Sequence, residues 1–252
     1  MLLKDKIAIV TGGARGIGRA ICHEYSKEGA DIILGDIDID KAKKTSEELE
    51  TLFNRKCIAV KLDISNRKNV EEVIGETINI FGKVDILVNN AGVLIEEYIV
   101  DMKEEQWDRL MDINLKGTYL CSQAVGRHMI KQKGGKIITI SSCSAKKPTL
   151  KEAAYSVSKA GVLGFNRVMA AEFGPYGINC NAILPGATDT EMIRKTFLTS
   201  PEIENEWIEK TALKRLGKPV DVARVALFLA SGLSDHITGE GIVVSAGEMM
   251  SQ

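Results

Sequence analysis

Short apolar runs alternate with longer amphipathic stretches along most of this chain. The runs at 7–10, 31–35, 57–61, 84–88, 136–141 and 178–184 have the length of buried strands, and a shorter one follows at 242–244. Between them apolar positions recur at helical spacing. Helices are predicted over 17–28, stopping at Gly29, over 41–53, and over 69–81, stopping at Gly82. Further helices are predicted over 103–112 and 117–131, with Asn114 either a break between them or a polar group pointed at something. The next starts at Thr149-Leu-Lys-Glu152, which fits a capping box, and stops at Gly174-Pro175. Residues 188–218 are charged and mixed, with a helical piece at 202–212, and a last helix covers 220–230.

Strands that are buried on both faces and separated by helices predict a parallel sheet covered on each side. The expected fold is α/β: a single-domain Rossmann-like doubly wound sheet of about seven parallel strands, with its ligand crevice at their carboxyl ends. No repeat or linker divides residues 1–252, so one domain is expected, with 188–218 as a substrate-loop excursion. The helix over 152–173 has small or apolar residues nearly all round, among them Val157, Val162, Phe165 and Val168. One side is expected against the sheet and the other against a second subunit.

Composition narrows the function by exclusion. Lys and Arg number 33 and Asp and Glu 34, giving a net charge of −1 and no reason to expect nucleic acid or an anionic membrane as partner. The apolar runs fall far short of the about 20 residues of a spanning helix, and the N-terminus lacks a signal-peptide core, so a cytoplasmic protein is expected. The five cysteines (22, 57, 121, 143 and 180) form no Cys-x-x-Cys pair, and the three histidines (23, 128 and 236) are scattered. Neither a disulfide framework nor a metal site is predicted. Cys143 directly follows Ser142 and is expected beside the same pocket.

Chemistry enters at four places. Thr11-Gly-Gly-Ala-Arg-Gly-Ile-Gly18 lies between a strand and a helix, and its glycines at 12, 16 and 18 suit a phosphate cradle over a helix N-terminus. Asp36 ends the second strand 18 residues past Gly18, near the distance at which an acid meets an adenosine ribose. A carboxylate there accepts from a 2′-hydroxyl and repels a 2′-phosphate, which favours NAD over NADP. Arg15 argues mildly the other way, and Ile37 adds no second cation. Asp36 could instead cap the following helix, although Asp38 and Asp40 are better placed. Asp63 could meet an adenine edge or cap the next helix, and Asn89-Asn90-Ala91-Gly92 suits a crevice floor or a turn. Finally, Tyr155 and Lys159 lie four apart on a helix, so both can act at one point, and the ammonium is expected to lower the phenol's pKa.

Taken together, Thr11-Gly12-x-x-x-Gly16-x-Gly18, Asp63, Asn89-Asn90-Ala91-Gly92, Asn114, Ser142, Tyr155-x-x-x-Lys159 and Pro185-Gly186-x-x-x-Thr190 resemble the short-chain dehydrogenase/reductases over essentially the whole chain. The resemblance implies that Tyr155 is the general acid/base, Ser142 holds the substrate oxygen, Lys159 meets the nicotinamide ribose, and Asn114 holds a relay water. Ser142, not Ser141, is chosen because it is the second of the pair and lies 13 residues before Tyr155. Gly12, Gly16 and Gly18 would hold the pyrophosphate, Asp36 the adenosine ribose, Asp63 the adenine and Asn90 the neighbouring ribose. Thr188 and Thr190 would meet the carboxamide, with Arg15, Ile17, Ile37, Ile64, Ala91, Gly92, Pro185 and Gly186 completing the cofactor wall.

The implied activity is NAD-dependent hydride transfer between nicotinamide and a secondary alcohol or ketone, with polyols, sugars, diols and hydroxyketones favoured. The alternatives are a 3-oxoacyl-thioester reductase and a non-catalytic NAD(H)-binding regulator, the latter disfavoured because no catalytic residue is missing. A homotetramer is expected, and substrate choice is expected around 93–98, 143–151 and 188–213. The family's usual Val-Asp-Gly-Gly ending is replaced here by Val243-Val244-Ser245-Ala246-Gly247.

Overall fold

The computed structural model describes residues 1–196 and 198–250. Strand β1 (Ile7–Thr11) is buried at every position, because it pairs on both edges and is covered on both faces. On one edge lies β2 (Asp31–Asp36), followed by β3 (Cys57–Lys61). On the other lie β4 (Ile86–Asn89), β5 (Gly135–Ile140), β6 (Ile178–Pro185) and β7 (Gly241–Val244). Every pairing is parallel, in the order β3-β2-β1-β4-β5-β6-β7. The order reverses between β1 and β4, so a crevice opens at their carboxyl ends, as the sequence predicts.

Alternation along β1 divides the core. Ala8 and Val10 join Ile21 and Tyr25 of α1 (Gly16–Lys27) and Val222 and Ala226 of α9 (Pro219–Ala230). Ile9 faces the other way, into a cluster with Val73 of α3 (Arg67–Phe81), Val125 and Met129 of α5 (Gly117–Gln132), and Met169 of α6 (Ala153–Phe173). Two helical layers on one sheet explain why the strands read as continuous apolar runs. Among the described residues, no helix is long and apolar enough to cross a membrane.

Two local predictions are corrected, and one left open between two alternatives is decided. The expected capping box at 149–152 does not form: α6 begins at Ala153 without a side-chain cap, and only a backbone bond joins Glu152 N to Thr149 O. Lys151 takes a left-handed conformation (φ 66°) just before the helix, and the Glu152 side chain is buried instead of capping. Asn114 breaks no helix. Helix α4 (Glu104–Met111) continues through a π turn, Asp112–Lys116, into α5, and π turns inside helices often mark functional positions. The 188–218 excursion holds two helices, α7 (Glu191–Thr196) and the shorter-than-predicted α8 (Pro201–Glu209). A Thr188–Gly217 bridge ties its ends together. At the other unusual segment, Ala246 and Gly247 turn the tail back, and Glu248 Oε2 accepts from Ala187 N at 3.2 Å.

Candidate active site

The glycine turn after β1 forms the crevice floor. Gly12 sits at φ 65°, a conformation that costs other residues energy, and a Cβ on Gly18 would collide with the Gly12 carbonyl oxygen. Gly18 is therefore a packing residue beneath the cavity and not part of its wall. Asn90 braces the turn, donating through Nδ2 to the carbonyls of Thr11 and Gly12 at 2.9 Å each. Helix α1 begins at Gly16 with no side-chain cap, leaving its N-terminus without that competitor for an anion.

At the crevice rim, Asp36 accepts from Ala14 N (3.1 Å) and Asp38 N (3.0 Å), which fixes its carboxylate at the carboxyl end of β2. Asp38 is the residue that caps the next helix, α2 (Ile39–Phe53), accepting from Lys41 N. Arg15 pairs with Glu191 of α7 at 3.2 Å. Asp63 accepts from Ser65 N and Oγ, and lines the cavity beside Ile64. The uncapped helix, the tight glycine turn and the fixed rim carboxylate fit a dinucleotide.

Strand β5 delivers two serines with different fates. Ser141 Oγ donates to the Lys159 carbonyl at 2.8 Å and braces α6 from below. Ser142 Oγ accepts from Ser144 N at 3.1 Å and lines the cavity with Tyr155 and Lys159. Lys159 Nζ donates to the Ile140 carbonyl at 2.8 Å and lies 5.7 Å from the Tyr155 ring centre.

The expected lowering of the Tyr155 pKa by Lys159 is not what these neighbours produce. Burial pushes the phenol up to about 12; the Ser142 hydrogen bond opposes this, while the nearby Glu152 and Cys143 add to it. Burial also pulls Lys159 down to about 8. Desolvation is the largest cause of both shifts, because each charged form loses water on burial. Of the groups around the phenol, Ser142 is the one that favours its ionised form.

Asn114 is buried behind this wall. Its Oδ1 accepts from Val93 N (2.8 Å), and its Nδ2 donates to Val93 O (2.9 Å) and Ser158 Oγ (3.2 Å). A Cβ on Gly92 would lie 3.2 Å from Asn114 Oδ1 and 3.5 Å from Lys159 Nζ, so both converge on Gly92 from behind. The cavity wall thus brings together Gly12, Arg15, Gly16, Ile17, Asp36, Ile37, Asp63, Ile64, Asn90, Ala91, Gly92, Ser142, Tyr155, Lys159, Pro185, Gly186, Thr188 and Thr190. Asn114 and Gly18 support it from outside. Cys143 lines it too, as expected.

Ser144, Lys147 and Trp207, from the segments expected to choose the substrate, line the cavity too, as do three residues that sequence reasoning did not place there: Arg109, Glu152 and Glu248. Glu152 could have been found from its place three residues before Tyr155, at the position just ahead of the helix. Glu248 had no such signal, since only the turn at Ala246 and Gly247 brings it back.

A family model described as Enoyl-(Acyl carrier protein) reductase matches residues 12–248, nearly the whole chain. The chain belongs to the short-chain dehydrogenase/reductase family. It is an oxidoreductase of that family, with Ser142, Tyr155 and Lys159 lining one cavity. Among short-chain dehydrogenase/reductase relatives, an NAD-dependent glycerol dehydrogenase from Listeria innocua is 37% identical over 97% of this chain and 94% of its own. A 3-oxoacyl-[acyl-carrier-protein] reductase from Aquifex aeolicus is 36% identical over 97% of this chain and 98% of its own. The crystal structure of gox2181 superposes with a TM-score of 0.94 at 38% identity, covering 98% of this chain and 96% of that one.

Proposed function

We propose that this chain uses NAD to move a hydride between nicotinamide and a secondary alcohol or ketone, with small polyols, sugars, diols and hydroxyketones as its substrate class. The observation that carries the reading is the shared wall: Ser142, Tyr155 and Lys159 line the same cavity as the glycine turn and Asp36. When bound, NAD supplies the hydride acceptor or donor. The chain's own residues do the rest. Tyr155 exchanges the proton with the substrate oxygen, Ser142 holds that oxygen, and Lys159, backed by Asn114, holds the nicotinamide ribose. Gly12, Gly16 and the α1 N-terminus take the pyrophosphate, Asp36 the adenosine ribose, and Thr188 and Thr190 the carboxamide.

The choice of NAD over NADP rests on two contacts. Asp36 is fixed at the rim by backbone amides, where it would repel a 2′-phosphate. Arg15, the cation that could welcome one, is engaged by Glu191. The glycerol dehydrogenase among the relatives is in keeping with a polyol substrate. A second reading, 3-oxoacyl-thioester reduction, is favoured by the relative of that name and disfavoured by Asp36.

We read residues 1–252 as one domain that assembles with further copies, a tetramer being favoured. Val157 and Val168 are exposed on the outer side of α6, where a second copy would cover them.

Comparing Tyr155→Phe with the parent tests the reaction. The variant is expected to lose about a hundredfold or more in kcat with polyol and NAD while still binding NADH; equal turnover would refute the acid/base role. Equal or tighter binding of NADPH than NADH by the parent would sink the cofactor assignment.

A further inference from the structure

Glu152 is the most unusual side chain in the cavity wall. It is 3% exposed, its Oε2 has no hydrogen-bond partner, and no cation among the described residues pairs with it. A buried acceptor without a donor is costly and calls for an explanation. The backbone that places it is also unusual. Leu150 is 80% exposed and Lys151 is left-handed, yet the next residue is buried within the cavity wall. The backbone at Glu152 is held by a bridge to Glu97 and by the Glu97 N to Lys151 O bond at 2.9 Å.

Its surroundings say what would satisfy it. Burial raises its carboxyl above the usual range, a hydrogen bond with Ser144 opposes this, and the nearby Glu96 and Glu248 add to the rise. Ser144 also donates its N–H to Ser142 Oγ, so Glu152 belongs to the group that surrounds the reacting oxygen. Lys147 lines the cavity as well, but it is exposed and unpaired with Glu152. An acyl thioester presents only acceptors next to its reacting ketone and would leave Oε2 unmatched. A hydroxyl on the neighbouring carbon brings the missing hydrogen.

We infer that Glu152 is a specificity residue whose carboxylate accepts a hydrogen bond from the hydroxyl adjacent to the reacting carbon, selecting 1,2-diols and polyols over simple alcohols and over 3-oxoacyl thioesters. The inference rests on reading the site as an alcohol oxidoreductase. It names a residue that touches substrate without taking part in proton or hydride transfer.

The test uses three alcohols on one skeleton with NAD: propan-2-ol, propane-1,2-diol and glycerol. The parent is expected to favour the two that carry a neighbouring hydroxyl by at least about tenfold in kcat/KM. Glu152→Met, similar in size but without the acceptor, is expected to erase that preference through KM. Its loss in kcat/KM for propane-1,2-diol and glycerol should exceed any change for propan-2-ol by about tenfold, and Glu152→Gln, which keeps an acceptor oxygen, should recover part of that difference. Removing an unmatched buried carboxylate should leave the melting temperature of Glu152→Met at or above the parent's, which separates this role from a structural one.

The inference is overturned if the parent shows no preference for the diols. It is overturned equally if Glu152→Met keeps the preference, or if it slows all three alcohols alike. If the parent oxidises none of the three, the alcohol reading itself fails, and calorimetry of propane-1,2-diol with the NADH complex then decides. Binding lost in Glu152→Met upholds the diol subsite; binding that is absent from the parent, or unchanged in the variant, refutes it.

Discussion

The wall built by β1, β2 and β4 and the wall built by residues 143–152, the 188–217 excursion and Glu248 face one cavity, but they are held by different means. On the first, strands buried in a parallel sheet end together, the glycine turn packs against α1, and backbone amides fix Asp36. On the second, short helices are tied by exposed ion pairs such as Arg194–Asp189 and Arg194–Glu204. There Lys151 is left-handed and Glu152 keeps an unmatched oxygen. The difference teaches a division of labour. On the proposed function, the scaffold would hold what every reaction of this type shares, while the loops would carry what differs between substrates. Tyr155, Ser142 and Lys159 stand where the walls meet.

The largest expected break in that comparison lies between two adjacent serines. Ser142→Ala should cut kcat by about a hundredfold, since it removes a hydrogen bond to the reacting oxygen and the group that favours the Tyr155 phenolate. Ser141→Ala should leave kcat near the parent's and lower stability by about 1 kcal/mol through its lost bond to the Lys159 carbonyl. Steady-state kinetics and urea melts on the two variants separate the roles.

Next in size, Gly18→Ala should destabilise the chain by about 1–3 kcal/mol and weaken NADH binding, because its methyl would meet the Gly12 carbonyl. Leu150→Ala, on an exposed side chain of the opposite wall, should change stability by less than about 0.5 kcal/mol. Denaturant titration with and without NADH compares them. Asp36→Asn should then narrow the preference for NADH over NADPH by about tenfold, read by fluorescence titration of both.

A further effect is on stability against pH. Lys159 is held at about 8 against an ordinary 10.5. Below about pH 8 the folded and unfolded chains both carry the proton, and the folded chain bears the cost of burying it. Between those values the folded chain has released a proton that the unfolded chain keeps, so stability rises with pH. Measurements from about pH 7 to 9 enter the lower part of that window, where the rise is on the order of 1 kcal/mol, and Lys159→Met should lack it.

Much of this was legible in the sequence because the relevant forces are local or periodic. Two-sided burial made the strands apolar, and strand–glycine–helix order placed the crevice. The resemblance carried Ser142 over Ser141; both line the cavity, and Ser141 Oγ is taken up by the Lys159 carbonyl. What escaped was set by long-range geometry or by competing desolvation. Thr149 and Glu152 look like a capping box until the backbone at Lys151 turns the glutamate inward. The spacing of Tyr155 and Lys159 is right, but spacing does not reveal that burial drives the phenol up and the ammonium down. Asn114 reads equally as a helix break or as a polar group pointed at something, because a π turn leaves no compositional trace, and the structure shows the second.

One measurement reaches the account's centre: transfer of deuterium from the C2 position of labelled propane-1,2-diol to the nicotinamide of NAD, followed in the parent and in Tyr155→Phe. The account predicts label on the nicotinamide ring with the parent, and transfer slowed by about a hundredfold or more in the variant while NADH binding is unchanged. Label moving as fast in Tyr155→Phe as in the parent would contradict it.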